Sequence, residues 1–334
     1  MKSDFPQPDP GASGSTRKTS LTRRQFLTAA AVVGAVANPA PPAAQAANAS
    51  TPAAGTLPQA RIGNLSVSRL ISGGNLISGW AHSRDLRYVP SLMRAYNTPE
   101  RVLDTLELLE RHGVNTLIAD PRKNVMDVLA RYWKERGGRI QWIAEGHPDL
   151  ADWKTNIQKS VEFGAKAVYV QGVIGDKWLN AGHTQLLGEC VQFIKSLGVP
   201  GGLGAHKLEV IMAAEEQKFG ADFYVKTLHH GNYWSRQRQP GEPDVVESLT
   251  DNYWDLDPNR TIAFMAEVEK PWIAFKVLAA GAIRPESGFR YAFENGADCI
   301  CVGMFDFQVE ANVALVRSLL AESSIQNRPR AWMA

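Results

Sequence analysis

The chain has 334 residues, 44% apolar and 21% charged, with a formal net charge of +2. That is ordinary globular composition, and the length suits one large domain. Its arginines and lysines are scattered and nearly balanced by acids, which argues against nucleic acid as a partner.

Residues 1–20 are polar and rich in Pro, Gly and Ser. Leu21-Thr22-Arg23-Arg24-Gln25-Phe26-Leu27 follows, then an apolar stretch from Thr28 to Ala37 and a small-x-small step at Ala44-Gln45-Ala46. A charged start, a short apolar centre and a small-residue exit are the parts of a secretory signal. Paired arginines before Phe-Leu make it similar to a twin-arginine signal, which implies a translocase as transient partner and a periplasmic or secreted destination. The apolar centre is too short for a permanent membrane anchor. The expected layout is a signal over 1–46, a flexible leader over 47–60, a barrel domain over 61–325 and a tail over 326–334.

From Arg61 onward, short apolar runs alternate with amphipathic patterns, the signature of parallel strands with crossover helices. Arg61–Leu65 and Ser68–Ser72 read as an opening hairpin or first strand. Pro99–His112 is a helix, with Thr98 as N-cap, Pro99 at its first position and Gly113 ending it. Strands follow at Thr116–Ala119, Ile140–Ala144, Ala167–Gln171, Gly201–Ala205, Phe223–Thr227, Trp272–Val277 and Cys299–Val302. Helices are expected near Val125–Arg136, Trp153–Phe163, Thr184–Leu197, Glu209–Lys218, Ile262–Glu269 and Ser287–Glu294. Gly113, Gly164, Gly220 and Gly296 each sit between a helix and an apolar run, where a left-handed residue would stop the helix. With a strand near Leu70, eight βα repeats predict a (β/α)8 TIM barrel, with a doubly wound open sheet as the rival. Cys299 and Cys301, two apart in a strand, share a face in poor geometry for a bridge, and the three cysteines read as buried thiols.

Catalytic groups of such a barrel come from the C-terminal ends of its strands. Five of the seven histidines, His82, His147, His206, His229 and His230, fall at these exits. Glu145, His147, His206 and His229 form a candidate N/O ligand set for zinc, manganese or iron. Without metal, the same groups would serve as general acids and bases. Glu145, His147, Asp120 and Lys276 are the candidate catalytic residues. Lys226 and Lys276 lie within strands, where burial of an ammonium demands a partner or proton loss. One could form a Schiff base or hold a substrate oxygen, or each could pair with a carboxylate such as Glu145. Residues 231–260 form a long insertion bearing Trp234 and Trp254. With Trp80, these aromatics suit a sugar-like ligand, or else a packed lid or oligomer contact. His82, Gln171, Lys226 and His230 complete the expected substrate-binding set.

Arg61–Gly74, reading RIGNLSVSRLISGG, resembles the opening hairpin and first strand of aldo-keto reductases. The similarity continues through Thr98–Asp120 and Gly296–Val313, and implies a barrel closed at its base by a hairpin. Asp120 matches that family's aspartate. Its tyrosine is replaced within Pro121-Arg122-Lys123-Asn124, its lysine position reads Glu145, its histidine position reads Gln171, and no Lys/Arg grip for NADPH phosphate follows the last strand. The reading is therefore an exported enzyme, a metal- or acid/base-dependent lyase, isomerase or hydrolase acting on a sugar-like or hydroxy-carbonyl small molecule. An NADPH-dependent oxidoreductase of altered type and a non-catalytic periplasmic binding protein are the alternatives.

Overall fold

A computed structural model describes residues 57–236 and 251–333. The signal segment, the leader up to residue 56, positions 237–250 of the long insertion and Ala334 lie outside the described residues.

The chain opens with β1 (Gln59–Ile62) and β2 (Leu65–Ser68), an antiparallel hairpin in which Ile62 pairs with Leu65. Eight parallel strands follow: β3 (Leu70–Gly73), β4 (Thr116–Ala119), β5 (Gln141–Gly146), β6 (Ala167–Val170), β7 (Gly201–Ala205), β8 (Phe223–Thr227), β9 (Trp272–Phe275) and β10 (Cys299–Val302). They pair in sequence order, and β10 pairs back onto β3, so the sheet closes. This is the predicted (β/α)8 barrel, and closure rules out the open sheet.

The strands are buried on both faces because helices cover the outside, as parallel sheets require. Alternate residues divide between two shells. Ile71, Ile118, Ile143, Ala167, Tyr169, Phe223, Val225, Ile273 and Cys299 fill the interior. Leu70, Leu117, Trp142, Val168, Leu203, Tyr224 and Trp272 face outward into the helical ring. Ala60, Ile62 and Val67 of the hairpin join the interior cluster, so the hairpin plugs the strand N-termini. Asn115, just before β4, fastens it by bonding Ser68 N, Ser66 O and Gln59 Oε1.

The helices are α1 (Asn75–Ser78), α2 (Val89–Tyr96), α3 (Pro99–Arg111), α4 (Lys123–Glu135), α5 (Thr155–Phe163), α6 (Gly172–Asn180), α7 (Thr184–Ser196), α8 (Leu208–Glu216), α9 (Pro258–Ala266), α10 (Pro285–Glu294), α11 (Asp306–Ala321) and α12 (Ser323–Gln326). Thr98 caps α3 by accepting from Arg101 N. Gly113, Gly164, Gly220 and Gly296 all hold positive φ, between 73° and 123°, as their placement after helices predicts. Five helices, α1, α2, α6, α11 and α12, are absent from those expected above. In α2 and α6, short length and a glycine-bearing segment blur the 3.6-residue period.

All three cysteines are free thiols, and Cys299 and Cys301 share the barrel interior. The segment after α12 is not a loose tail. Arg328 and Arg330 are 6% and 4% exposed and both bind the fully buried carboxylate of Asp298 beneath β10. Among the described residues, no helix is long and apolar enough to cross a membrane.

Candidate active site

Three exits of the barrel converge around one amine. Lys276 follows β9 with φ of 57°, a left-handed conformation that turns its side chain across the mouth. Its Nζ lies 2.6 Å from His82 Nε2, on the loop after β3, and 4.1 Å from the centroid of the Trp254 ring. Burial pushes the amine down to about 7, against the opposing pull of Glu145 and Asp176. Lys276 nonetheless keeps partial solvent access.

Glu145 projects from β5 into the same space. Burial first, then the nearby Asp120 carboxylate, raises it to about 7, while Lys276 and hydrogen bonds from Tyr169 and Gln171 work the other way. Gln171 is fixed by a second contact, in which its Oε1 caps α6 by accepting from Ile174 N at 3.1 Å. Its amide NH2 is thereby left to face the carboxylate. Tyr169 belongs to β6, and burial beside Glu145 holds its phenol well above the ordinary range, so it acts as a neutral donor.

A carboxylate–imidazole dyad lies alongside. Asp176, fully buried on α6, accepts from His206 N and Lys207 N at the start of α8 and meets His206 Nδ1 at 2.7 Å. A helix N-terminus suits this anion. The arrangement assigns the proton to Nδ1 and leaves Nε2 as the lone-pair nitrogen. Burial brings the His206 imidazole down to about 4 despite Asp176. Trp254 covers it at 4.3 Å, and a Cβ on Gly172 would meet its Cε1 at 3.1 Å.

The remaining nominated residues are placed elsewhere or occupied. His229 Nε2 accepts from both Trp254 N and Asp255 N, and its Nδ1 donates to His230 O. With both ring nitrogens engaged it has no lone pair for a metal, so the expected set of Glu145, His147, His206 and His229 does not assemble. Among the described residues, no group of three or more His, Cys, Asp or Glu is arranged to hold a metal ion. His147 has its Nε2 buried without a hydrogen-bond partner and its imidazole lowered by burial. Asp120 is 3% exposed and already accepts from Ser78 Oγ, Trp80 Nε1 and Arg122 Nε, which ties three loop segments together. Trp80 lies under Arg122 at 4.5 Å, half-exposed at the rim.

Lys226 is completely buried. Its ammonium donates to Thr227 O and Thr227 Oγ1 and lies 3.6 Å from Asp255, so its partner is not Glu145. Trp254 is 1% exposed and packs on His206, Lys276 and His82, so it is part of the site's wall rather than an open sugar platform. Trp234 is 87% exposed. His230 bonds Ser287 Oγ and Asn232 N.

Sequence reasoning missed Tyr169 and Asp176 as site residues. Tyr169 hides in the apolar run Ala167–Val170. Asp176 stood among polar residues after the fourth barrel strand, and a carboxylate on the buried side of a helix was its available signal.

The sequence matches no protein-family model, and no curated protein matches it. Among solved structures it is similar to a truncated 3-deoxy-D-arabino-heptulosonate 7-phosphate synthase from Thermotoga maritima, at 14% identity and TM-score 0.46, over 79% of this chain and 91% of that one. It is also similar to a protein described as a dihydrodipicolinate synthetase from Pseudomonas aeruginosa, at 14% identity and TM-score 0.45, over 78% of each chain. A third is the N-acetylneuraminic acid synthetase from Leptospira borgpetersenii serovar Hardjo-bovis, at 11% identity and TM-score 0.44, over 80% of this chain and 91% of that one. These likenesses carry nothing about activity; the closed strand pairing is what establishes the barrel.

Proposed function

We propose that this chain is an enzyme of proton-transfer chemistry next to a carbonyl, of the lyase, isomerase or hydrolase kind, acting on a small hydroxy-carbonyl compound. The observation that carries this reading is the Lys276 amine, near neutrality and partly open to water, facing a Glu145 carboxyl also held near neutrality. A neutral amine can attack a carbonyl carbon, forming a C–N bond and releasing the oxygen as water, to give an imine. The imine withdraws electrons from the neighbouring carbon, where Glu145 can remove or return a proton. A carboxyl near neutrality serves both directions at pH 7. Tyr169 and Gln171 orient it, and the His206–Asp176 pair lies alongside. Lys226 takes no part, since its donors are spent on Thr227 and Asp255 in the barrel wall.

Borohydride trapping tests the reading. The mature protein is incubated with short hydroxy-aldehydes, hydroxy-ketones and 2-oxo acids, then reduced and digested. A reduced adduct on the Lys276 peptide is the expected result. Labelling at Lys226, or none with any carbonyl tried, would refute it. The twin-arginine-like leader supports an exported site of action, which a reporter fused after Ala46 tests by its appearance outside the cytoplasm and its loss with Arg23→Lys and Arg24→Lys together.

A further inference from the structure

The aromatic residue that packs against Lys276 comes from a segment held by several anchors. Trp254 N and Asp255 N both donate to His229 Nε2, at 3.1 and 2.9 Å. The indole Nε1 donates to Asp251 O at 2.8 Å, and Asp251 is held by Arg84 at 2.8 Å. Asp255 lies against Lys226 and accepts from Thr261. The ring so fixed is 1% exposed, with Lys276 Nζ over its centroid at 4.1 Å, His206 at 4.3 Å and His82 at its edge at 5.3 Å.

We infer that Trp254 is a positioning residue, fastened by His229, whose bulk shields one side of Lys276 from water and so keeps the amine unprotonated and nucleophilic. This deepens the proposed function, on whose choice of Lys276 it rests. Two effects of the ring oppose each other. Its face attracts a cation, and its bulk denies that cation water. Burial is the larger, as the lowered value of Lys276 supports. The charged or titratable groups facing the amine are Glu145 from β5, His82 after β3, Asp176 on α6, His206 after β7 and His229 after β8. None of them is removed by changing Trp254.

Trace acetylation with acetic anhydride across pH, read by peptide mass spectrometry with exposed Lys134 as internal reference, measures the neutral fraction of Lys276 with no substrate present. In the unaltered protein the profile has its midpoint near 7. In Trp254→Gly, water also reaches the side of the amine that the indole covered, the midpoint moves alkaline, and labelling at pH 7 falls by about 30-fold or more although a cover has been removed. Trp254→Leu keeps the site dry and retains the neutral midpoint. His229→Leu, which leaves Trp254 intact but removes its anchor, moves alkaline like the glycine variant and serves if that variant does not fold. Faster labelling at every pH with no displacement, or the same displacement in the leucine and glycine variants, overturns the inference. A failed borohydride trap with these profiles intact refutes the function reading alone, and an unmoved profile refutes the role of Trp254 alone.

Discussion

Replacing Lys276 by methionine should make the protein more stable, and more so in acid than in base. The ordinary lysine value of 10.5 falls to about 7 in the folded protein. At about 1.4 kcal/mol per tenfold change, that displacement caps the folded-state penalty on the ammonium near 5 kcal/mol. Partial solvent access and the His82 contact reduce the usable figure to about 2 kcal/mol. The sign follows from proton linkage. Between pH 7 and 10.5 the unfolded chain holds the lysine proton and the folded chain does not, so stability of the unaltered protein rises with pH across that window. Below pH 7 both states are protonated and the penalty is complete. Glu145, raised to about 7, is mostly protonated at pH 6, so removing its partner there strands no anion. Lys276→Met is thus expected to raise Tm by about 4–8 °C at pH 6, with the gain fading by pH 10. Calorimetry of both proteins at the two pH values measures this. An equal difference at pH 6 and pH 10, or a lower Tm for the variant at pH 6, would refute the reasoning.

Three further outcomes follow from other parts of the molecule. Asp298→Asn leaves the buried guanidinium groups of Arg328 and Arg330 without their shared counter-charge and should cost about 3–5 kcal/mol in denaturant unfolding; adding Arg328→Met should recover part of that loss. Gly204→Ala would place a methyl 2.8 Å from Gly172 N and 2.8 Å from Val170 O, where backbone cannot yield, so a loss of about 2 kcal/mol or more is expected in the same assay. Dialysis against a chelator should leave trapping at Lys276 unchanged, because the nominated ligand set is not gathered; a loss restored by zinc or manganese would reverse that reading.

Local physical chemistry, written in neighbouring residues, determined much of this protein. Helix stops at Gly113, Gly164, Gly220 and Gly296 were legible because only a left-handed residue fits there, and the strands were legible from apolar runs of the right length. Those two signals together imply the eightfold repeat, and hence that chemistry sits at the strand exits. Glu145 and Lys276 were nominated on that ground alone.

Tertiary structure decided which exits face one another. His229 and His206 look equivalent in sequence, yet one spends both nitrogens on backbone and the other pairs with Asp176, thirty residues away. Lys226 and Lys276 are likewise alike in sequence, and only closure of the barrel sends one into the wall and the other across the mouth. Trp254 could be read as a sugar platform, a packed lid or an oligomer contact because a long insertion carries no periodicity from which to read burial, and its 1% exposure shows that it is packed. Tyr169 was hidden in an apolar run, Asp176 lay in a segment not read as a helix, and Arg328 and Arg330 in an apparent tail. Each of these outcomes depends on contacts between distant segments, whose register is set by strand pairing and packing rather than by any local preference.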